Sequence, residues 1–273
     1  MKYTIIADSC CDLYGEQLSS EKLDFFTVAI TLTLGEDDHV DNEGLDTKSL
    51  IEKMRASKTL KTACPSPEAF MQHMRGRDNI IVVTLSSKLS GTYGSAMIAC
   101  ETIKEEFPDK KVFILDTLSA SAGITHILFE LKKLIEETNL TFDEIVGKII
   151  EASRQTRARF LLQDLGNLVK TGRLKKVVGA VFGITPLKLI CGDDGEGQIK
   201  KFGTSLGTKK GLINMSKMAK GSSAVITHCN NELDASYLKG LLEAMDIKVK
   251  TFLMRGVSSF YANNKGLVLA YRE

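Results

Sequence analysis

Compact apolar runs alternate with stretches of helical period along most of this chain. Tyr3–Ala7, Phe25–Leu34, Ile80–Thr84 and Val112–Leu115 predict strands, the last three being rich in branched side chains. Thr47–Ala56, Pro67–Arg75, Thr92–Glu106, Ser121–Glu137 and Phe142–Ser153 place apolar residues at helical spacing. That rhythm predicts an α/β fold, with a mostly parallel N-terminal sheet carrying helices on both faces. Past residue 155 the texture changes. Arg154, Arg157 and Arg159 cluster, and Phe160-Leu161-Leu162 leads into a short helix ending at Gly172. Thr185–Ile190 and Gln198–Phe202 read as a strand pair around a turn-rich stretch from Gly192 to Gly197. A helix (Lys209–Lys220), a strand (Ser223–Thr227), a helix (Glu232–Ala244) and two strands (Lys248–Met254, Gly266–Tyr271) follow. The chain therefore divides into an N-terminal domain, residues 1–155, and a C-terminal α/β domain with a mixed sheet, residues 156–273. No Pro/Ser-rich linker separates them, so they are expected to pack tightly.

Two hydroxyl-rich turns each follow an extended run and open a helix. The first is Thr62-Ala63-Cys64-Pro65-Ser66-Pro67, where Ser66 and Pro67 form a capping hydroxyl and a first-position proline. The second is Ser86-Ser87-Lys88-Leu89-Ser90-Gly91-Thr92-Tyr93, ahead of a helix with Ala96, Ile98, Ala99 and Ile103 on an apolar face. Free N–H groups and the positive dipole end at a helix start favour a small anion. Either turn alone also reads as an ordinary capped connection. Placed at the carboxyl ends of strands, where open α/β sheets bind ligands, both become candidate anion sites.

Composition adds little that is unusual. Hydrophobic residues make up 43% of the chain and charged residues 26%, as in globular proteins generally. A net charge of +2 favours neither nucleic acid nor an anionic membrane surface as a partner. The apolar run Tyr3–Ala7 is too short for a signal core or a membrane span, which predicts a cytoplasmic protein without stable membrane insertion. Six cysteines show neither CxxC nor metal-ligand spacing, so reduced thiols are expected.

Catalytic motifs fare poorly against the residues. Gly203-Thr204-Ser205-Leu206-Gly207 matches G-x-S-x-G, yet no acidic residue lies between Ser205 and His228 and no histidine follows His228. The Ser–acid–His order of that hydrolase fold cannot be met. Cys64 sits near a predicted helix start, where a thiol is activated, but a Cys–His pair would need His39, His73, His126 or His228 beside it. Cys64 reads as a pocket-wall or buried residue, and His126, within an apolar helix, as a satisfied core histidine. Asp37-Asp38 and Asp193-Asp194 read as solvated loop charges. Zinc, calcium, Walker A and dinucleotide signatures are missing, so neither metal nor cofactor is expected.

Three further segments complete an ordered set with the two turns. They are Asp8-Ser9-Cys10-Cys11-Asp12-Leu13, Asp116-Thr117-Leu118-Ser119-Ala120-Ser121-Ala122-Gly123 and Leu165-Gly166-Asn167-Leu168-Val169-Lys170-Thr171-Gly172-Arg173-Leu174. In order and spacing the five segments resemble the DegV family, bacterial fatty-acid-binding proteins of which several are the acyl-carrying subunit of a fatty-acid kinase. The resemblance covers nearly the whole chain. It implies a non-catalytic carrier that holds a long-chain fatty acid in a tunnel between domains and presents the carboxylate to a separate kinase. Thr62 and Ser90 then bind the carboxylate, with Gly91 and Thr92 offering backbone donors, and Arg173 helps dock the kinase subunit. For Arg173 a helix-terminal cation on a solvated face is the plainer alternative. Tail contacts are expected from the helix after Ser121 and from Val177 to Ile184.

Such a ligand has understandable needs. Each buried methylene contributes about 0.8 kcal/mol, so a tail of roughly fifteen supplies on the order of 10 kcal/mol before ordering costs. The head group wants charge-assisted hydrogen bonds from hydroxyls and N–H groups. One departure from the family stands out. Its members commonly carry His-x-Gly-Pro-Gly near the C-terminus, whereas Arg255–Gly266 contains neither histidine nor proline. Tyr261 falls near the lost histidine, and its hydroxyl, or that of Ser258 or Ser259, is available as the replacement donor. Lys209-Lys210 likewise stands where relatives often have arginines. A lipid carrier without a kinase therefore stays open, as does a hydrolase or acyl transferase using Ser90 or Cys64 as nucleophile.

Overall fold

The computed structural model describes residues 2–174 and 187–273. It opens with β1 (Tyr3–Asp8), a 3-10 turn (Ser9–Cys11), α1 (Gly15–Leu18), β2 (Leu23–Val28), β3 (Thr31–Leu34) and β4 (Asp37–Val40). Next come α2 (Thr47–Ala56), β5 (Leu60–Ala63), α3 (Pro67–Met74), β6 (Ile80–Thr84), α4 (Thr92–Glu106), β7 (Val112–Asp116), α5 (Ala122–Glu137) and α6 (Phe142–Gln155). The remainder is β8 (Thr156–Leu161), α7 (Gly166–Lys170), β9 (Leu187–Asp193), β10 (Ile199–Leu206), α8 (Thr208–Ser216), β11 (Ser223–His228), α9 (Glu232–Glu243), β12 (Lys248–Leu253), α10 (Gly256–Ala262) and β13 (Leu267–Arg272).

The first sheet is parallel, in the order β2-β1-β6-β7. Its central strands, β1 and β6, are buried on both faces, which is why they read as nearly unbroken apolar runs. Ile5, Ala7, Ile81 and Val83 meet α5 and α6 through Ile124, Leu128, Ile145 and Ile149. Ile6, Ile80 and Val82 meet α3 and α4 through Phe70, Met74, Ala99 and Ile103. The second sheet is mixed, in the order β10-β9-β8-β13-β11-β12, with β11–β12 its parallel pair. One face buries Leu161, Ile226 and Leu269 under α8 and α9. The other turns Ala158, Val225, Val268 and Ala270 inward, toward Ala122 at the start of α5. This is the α/β architecture that the pattern predicts.

Three elements differ from the sequence reading. Phe25–Leu34 is two strands: Ile30 leaves the ladder, its N–H donating to Ser9 Oγ (3.1 Å) and its carbonyl accepting from Asp41 N (3.0 Å). The chain thereby crosses into a small antiparallel sheet, β4-β3-β5, whose last strand carries Thr62. The first hydroxyl turn thus leaves an antiparallel strand, not one of the parallel sheet. Asp37 and Asp38 lie within β4, Asp38 accepting from Thr33 Oγ1 at 2.7 Å. Residues 256–262, between the two last predicted strands, form α10, because Asp41 accepts from Gly256 N (2.8 Å) and Val257 N (2.9 Å) and so caps its start. The tail contacts expected from Val177–Ile184 lie outside the described residues.

Candidate functional site

Strand order in the parallel sheet reverses at β1 and β6, and Asp8 spans the gap by accepting from Leu85 N at 2.7 Å and Cys10 N at 3.0 Å. Ligands of such sheets sit outside the carboxyl ends of the strands at this reversal. Here a cavity of about 380 Å³ lies between those strand exits and the inner face of the mixed sheet. Its walls are largely apolar, with Ile30, Leu85, Leu89, Phe160, Leu162 and Val268 among them. A volume of that size suits a small organic ligand.

Polar groups gather on part of the wall. Thr62 Oγ1 and Tyr261 OH share a hydrogen bond of 3.0 Å, joining the small antiparallel sheet to α10 across 199 positions of sequence. The two hydroxyl turns are stitched together: Ser95 Oγ in α4 donates to Pro65 O at 2.5 Å, and Cys64 Sγ lies 3.5 Å from where a Gly91 β-carbon would stand, an ordinary packing distance. Ser66 caps α3 as its spacing predicts, accepting from Ala69 N at 3.3 Å. Ser90 Oγ shares a 2.9 Å bond with Thr92 Oγ1 and accepts from Thr92 N at 3.3 Å. Among the five predicted ligand residues, Thr62, Ser90, Gly91 and Tyr261 line the cavity. Thr92 is fully buried behind Ser90, and its amide is already engaged there. Cys64 lines the cavity too, as an exposed rather than buried thiol.

Arg173 is not a cation on a solvated face. It lines the cavity half-buried, its Nε donating to Leu89 O (3.2 Å) and its Nη1 to Thr171 O (2.7 Å), with Cζ 6.0 Å from the Tyr261 ring. Asp193 also departs from the solvated reading. It ends β9 on the cavity wall, accepts from Ala158 N, and lies 3.7 Å from the buried Arg159 guanidinium. Burial raises its carboxyl pKa, opposed by the Ala158 amide and Arg159. Asp194 is exposed, as expected, and caps the β9–β10 turn through Glu196 N and Gln198 N. That turn closes over the cavity where Ser86 Oγ donates to Gly197 O at 2.7 Å. Gly197, at φ +88°, leaves a β-carbon no room, since it would stand 2.5 Å from Ser86 Oγ.

Sequence reasoning gave no role to a buried polar chain behind the wall. Ser121 Oγ donates to Asp12 at 2.5 Å and shares a 2.7 Å bond with Thr227 Oγ1, linking two strand exits to the mixed sheet. Ser121 holds φ +52° and ψ −124°, a strained backbone for serine, and it lines the cavity with Ser258 and Cys10. Burial pushes Asp12 up to about 7 against the pull of the Ser121 hydroxyl and the Arg255 amide. Asp8 is likewise raised to about 7, burial outweighing its two amide donors. Arg255 is 1% exposed and donates to Leu13 O (2.7 Å), Thr27 Oγ1 (3.1 Å) and Asp41 O (2.7 Å). The quoted segments around Asp12 and Ser121 were the available signal; their meeting was not.

Among the described residues, neither serine candidate is hydrogen-bonded to a histidine. Ser205 Oγ donates to Gly207 O of its own turn at 3.1 Å. The side-chain hydrogen bonds of Ser90 run to Thr92, and no histidine bonds it among the described residues. His126 is a satisfied core histidine, as expected, its ring nitrogens 3.3 Å from Ser223 Oγ and 3.4 Å from Thr156 Oγ1. Among the described residues no group of three or more His, Cys, Asp or Glu could hold a metal ion, and no helix is long and apolar enough to cross a membrane.

Parallel-strand exits, a second sheet and a mostly apolar cavity between them define an α/β fold with a candidate ligand site. The DegV family model, described as an uncharacterised protein family, matches residues 2–267, and the chain belongs to that family. A DegV domain-containing protein of Streptococcus pyogenes serotype M1 is 33% identical over 279 residues, covering 99% of each chain. The Streptococcus pneumoniae Fatty Acid Kinase (Fak) B3 protein loaded with linoleic acid is similar in structure at TM-score 0.95 and 30% identity, over 100% of this chain and 99% of that one. A DegV family protein from Eubacterium eligens loaded with heptadecanoic acid matches at TM-score 0.92 and 28% identity, over 99% of each chain.

Proposed function

We propose that this chain is a cytosolic carrier that holds one long-chain fatty acid in its cavity and presents the carboxylate to a separate fatty-acid kinase. Acyl groups activated in this way would enter phospholipid synthesis. Residues 1–155 supply the head-group turns in this reading, and residues 156–273 close the tunnel. The observation that carries it is the meeting of Thr62, Ser90, Gly91 and Tyr261 on the wall of one apolar cavity. Hydroxyl and amide donors hold a carboxylate by hydrogen bonds while leaving its oxygens nucleophilic. Tyr261 takes the donor role that a histidine fills in relatives. The fatty acids bound by the pneumococcal and Eubacterium proteins support the ligand class, and the kinase name of the former supports the partner. Arg173 serves docking in this reading.

Native mass spectrometry of protein purified from cells tests the carrier reading. A retained mass matching a long-chain fatty acid is expected, released on denaturation and restored by added acid. Lipid-free protein that takes up no added long-chain acid overturns it.

A further inference from the structure

Beside the lipid cavity lies a second, more polar hollow of about 290 Å³, lined by Lys88, Thr171, Gly172 and Arg173 together with Leu89, Gln198 and Ile199. Leu89, Arg173, Gln198 and Ile199 border both spaces, so Arg173 stands at their junction. Two cations face this hollow, and neither forms an ion pair among the described residues. Arg173 is nevertheless fixed, because two carbonyls hold Nε and Nη1 without neutralising the charge. A held and uncompensated guanidinium with a neighbouring ammonium is suited to a dianion.

We infer that this hollow is a phosphoryl subsite, in which Arg173 and Lys88 bind the phosphate of an acyl phosphate whose chain lies in the adjoining cavity. The inference rests on the carrier reading above and extends it to the product. In the transfer, a carboxylate oxygen bonds to the γ-phosphorus of a nucleoside triphosphate supplied by the kinase, and the bond from that phosphorus to the diphosphate leaving group breaks. No proton is required. The acyl head changes from one negative charge to two, and the diphosphate leaves with one fewer than the triphosphate brought. Hydroxyls suffice for the monoanionic substrate; the dianionic product calls for cations. A neighbouring basic hollow meets that need without placing a positive charge directly on the nucleophilic carboxylate.

Titration calorimetry with two probes tests this: palmitic acid, and 2-oxoheptadecylphosphonate, in which a methylene replaces the bridging oxygen of palmitoyl phosphate. The protein is expected to bind the phosphonate at least as tightly as the acid. Lys88→Gln should weaken phosphonate binding about tenfold, the worth of one charge-assisted hydrogen bond, and leave palmitate binding within twofold. Arg173→Gln should weaken the phosphonate more than the acid. Phosphonate that fails to bind where palmitate does, or a Lys88→Gln loss that is absent or equal for both probes, overturns the subsite. Failure of palmitate alone, with Lys88-dependent phosphonate binding intact, removes the carrier reading and keeps the subsite.

Discussion

Tyr261 and Thr62 each occupy the other's hydroxyl at 3.0 Å, and an arriving carboxylate can accept from both. Tyr261→Phe keeps the ring against Phe260 while removing one donor. Fatty-acid affinity should fall by about tenfold, as for one hydrogen bond to a charged group. Calorimetry reads this directly, and unchanged affinity would place the head group elsewhere. Asp8 and Asp12 offer a second contrast. Both oxygens of Asp8 accept from backbone amides, so Asp8→Asn turns an NH2 toward an N–H and should cost about 1–3 kcal/mol. Asp12 has a hydroxyl partner that can reverse its role, so Asp12→Asn should be tolerated. Its folded pKa is raised from 3.8 to about 7, so the folded state holds the extra proton in that window. Stability from this group is therefore present at low pH and lost as pH rises toward 7. In urea denaturation Asp12→Asn should gain on the parent protein between pH 5 and pH 8; a constant difference would show that Asp12 stays ionised throughout.

The element that most shapes the site is α10, which carries Val257, Ser258 and Tyr261 on the cavity wall. Its start is held by the Asp41 carboxylate, and Gly256 is required there because a β-carbon would stand 2.7 Å from Asp41 Oδ1 and 2.5 Å from Leu45 Cδ2. Asp41→Ala uncaps the helix and leaves the buried Arg255 charge without its carboxylate 3.9 Å away. A loss of about 3 kcal/mol or more is expected in urea denaturation, with weaker lipid binding in the same variant. A loss under 1 kcal/mol would mean that Arg255 is satisfied by carbonyls alone. Elements of strong local period were legible: α4 runs Thr92–Glu106 as its spacing predicts, and α5 begins one residue inside its expected start. The start of α10 was not, since its cap comes from Asp41, far away in the chain. The break at Ile30 was hidden for the same reason, being set by Ser9 and Asp41 rather than by a proline or glycine. Thr62 and Ser90 were found through their turns, whereas the Asp12–Ser121–Thr227 chain depends on three segments meeting.

At the scale of the whole molecule, the cavity is the space two sheets leave when neither can bury its facing surface alone. The parallel sheet ends in polar turns, and the mixed sheet offers Ala158, Phe160 and Val268. Filling that space with an acyl chain adds apolar burial to the folded state only, so ligand and stability are linked. At free fatty acid one hundred times Kd the folded state should gain about 2.7 kcal/mol. Val268→Phe places a ring into the cavity from the second residue of β13, where the empty volume spares it the strain of an overpacked core. This variant should melt near the parent without lipid and show no rise when fatty acid is added. A parent that rises while Val268→Phe stays flat locates the chain between the sheets; an equal rise in both would put it on another surface.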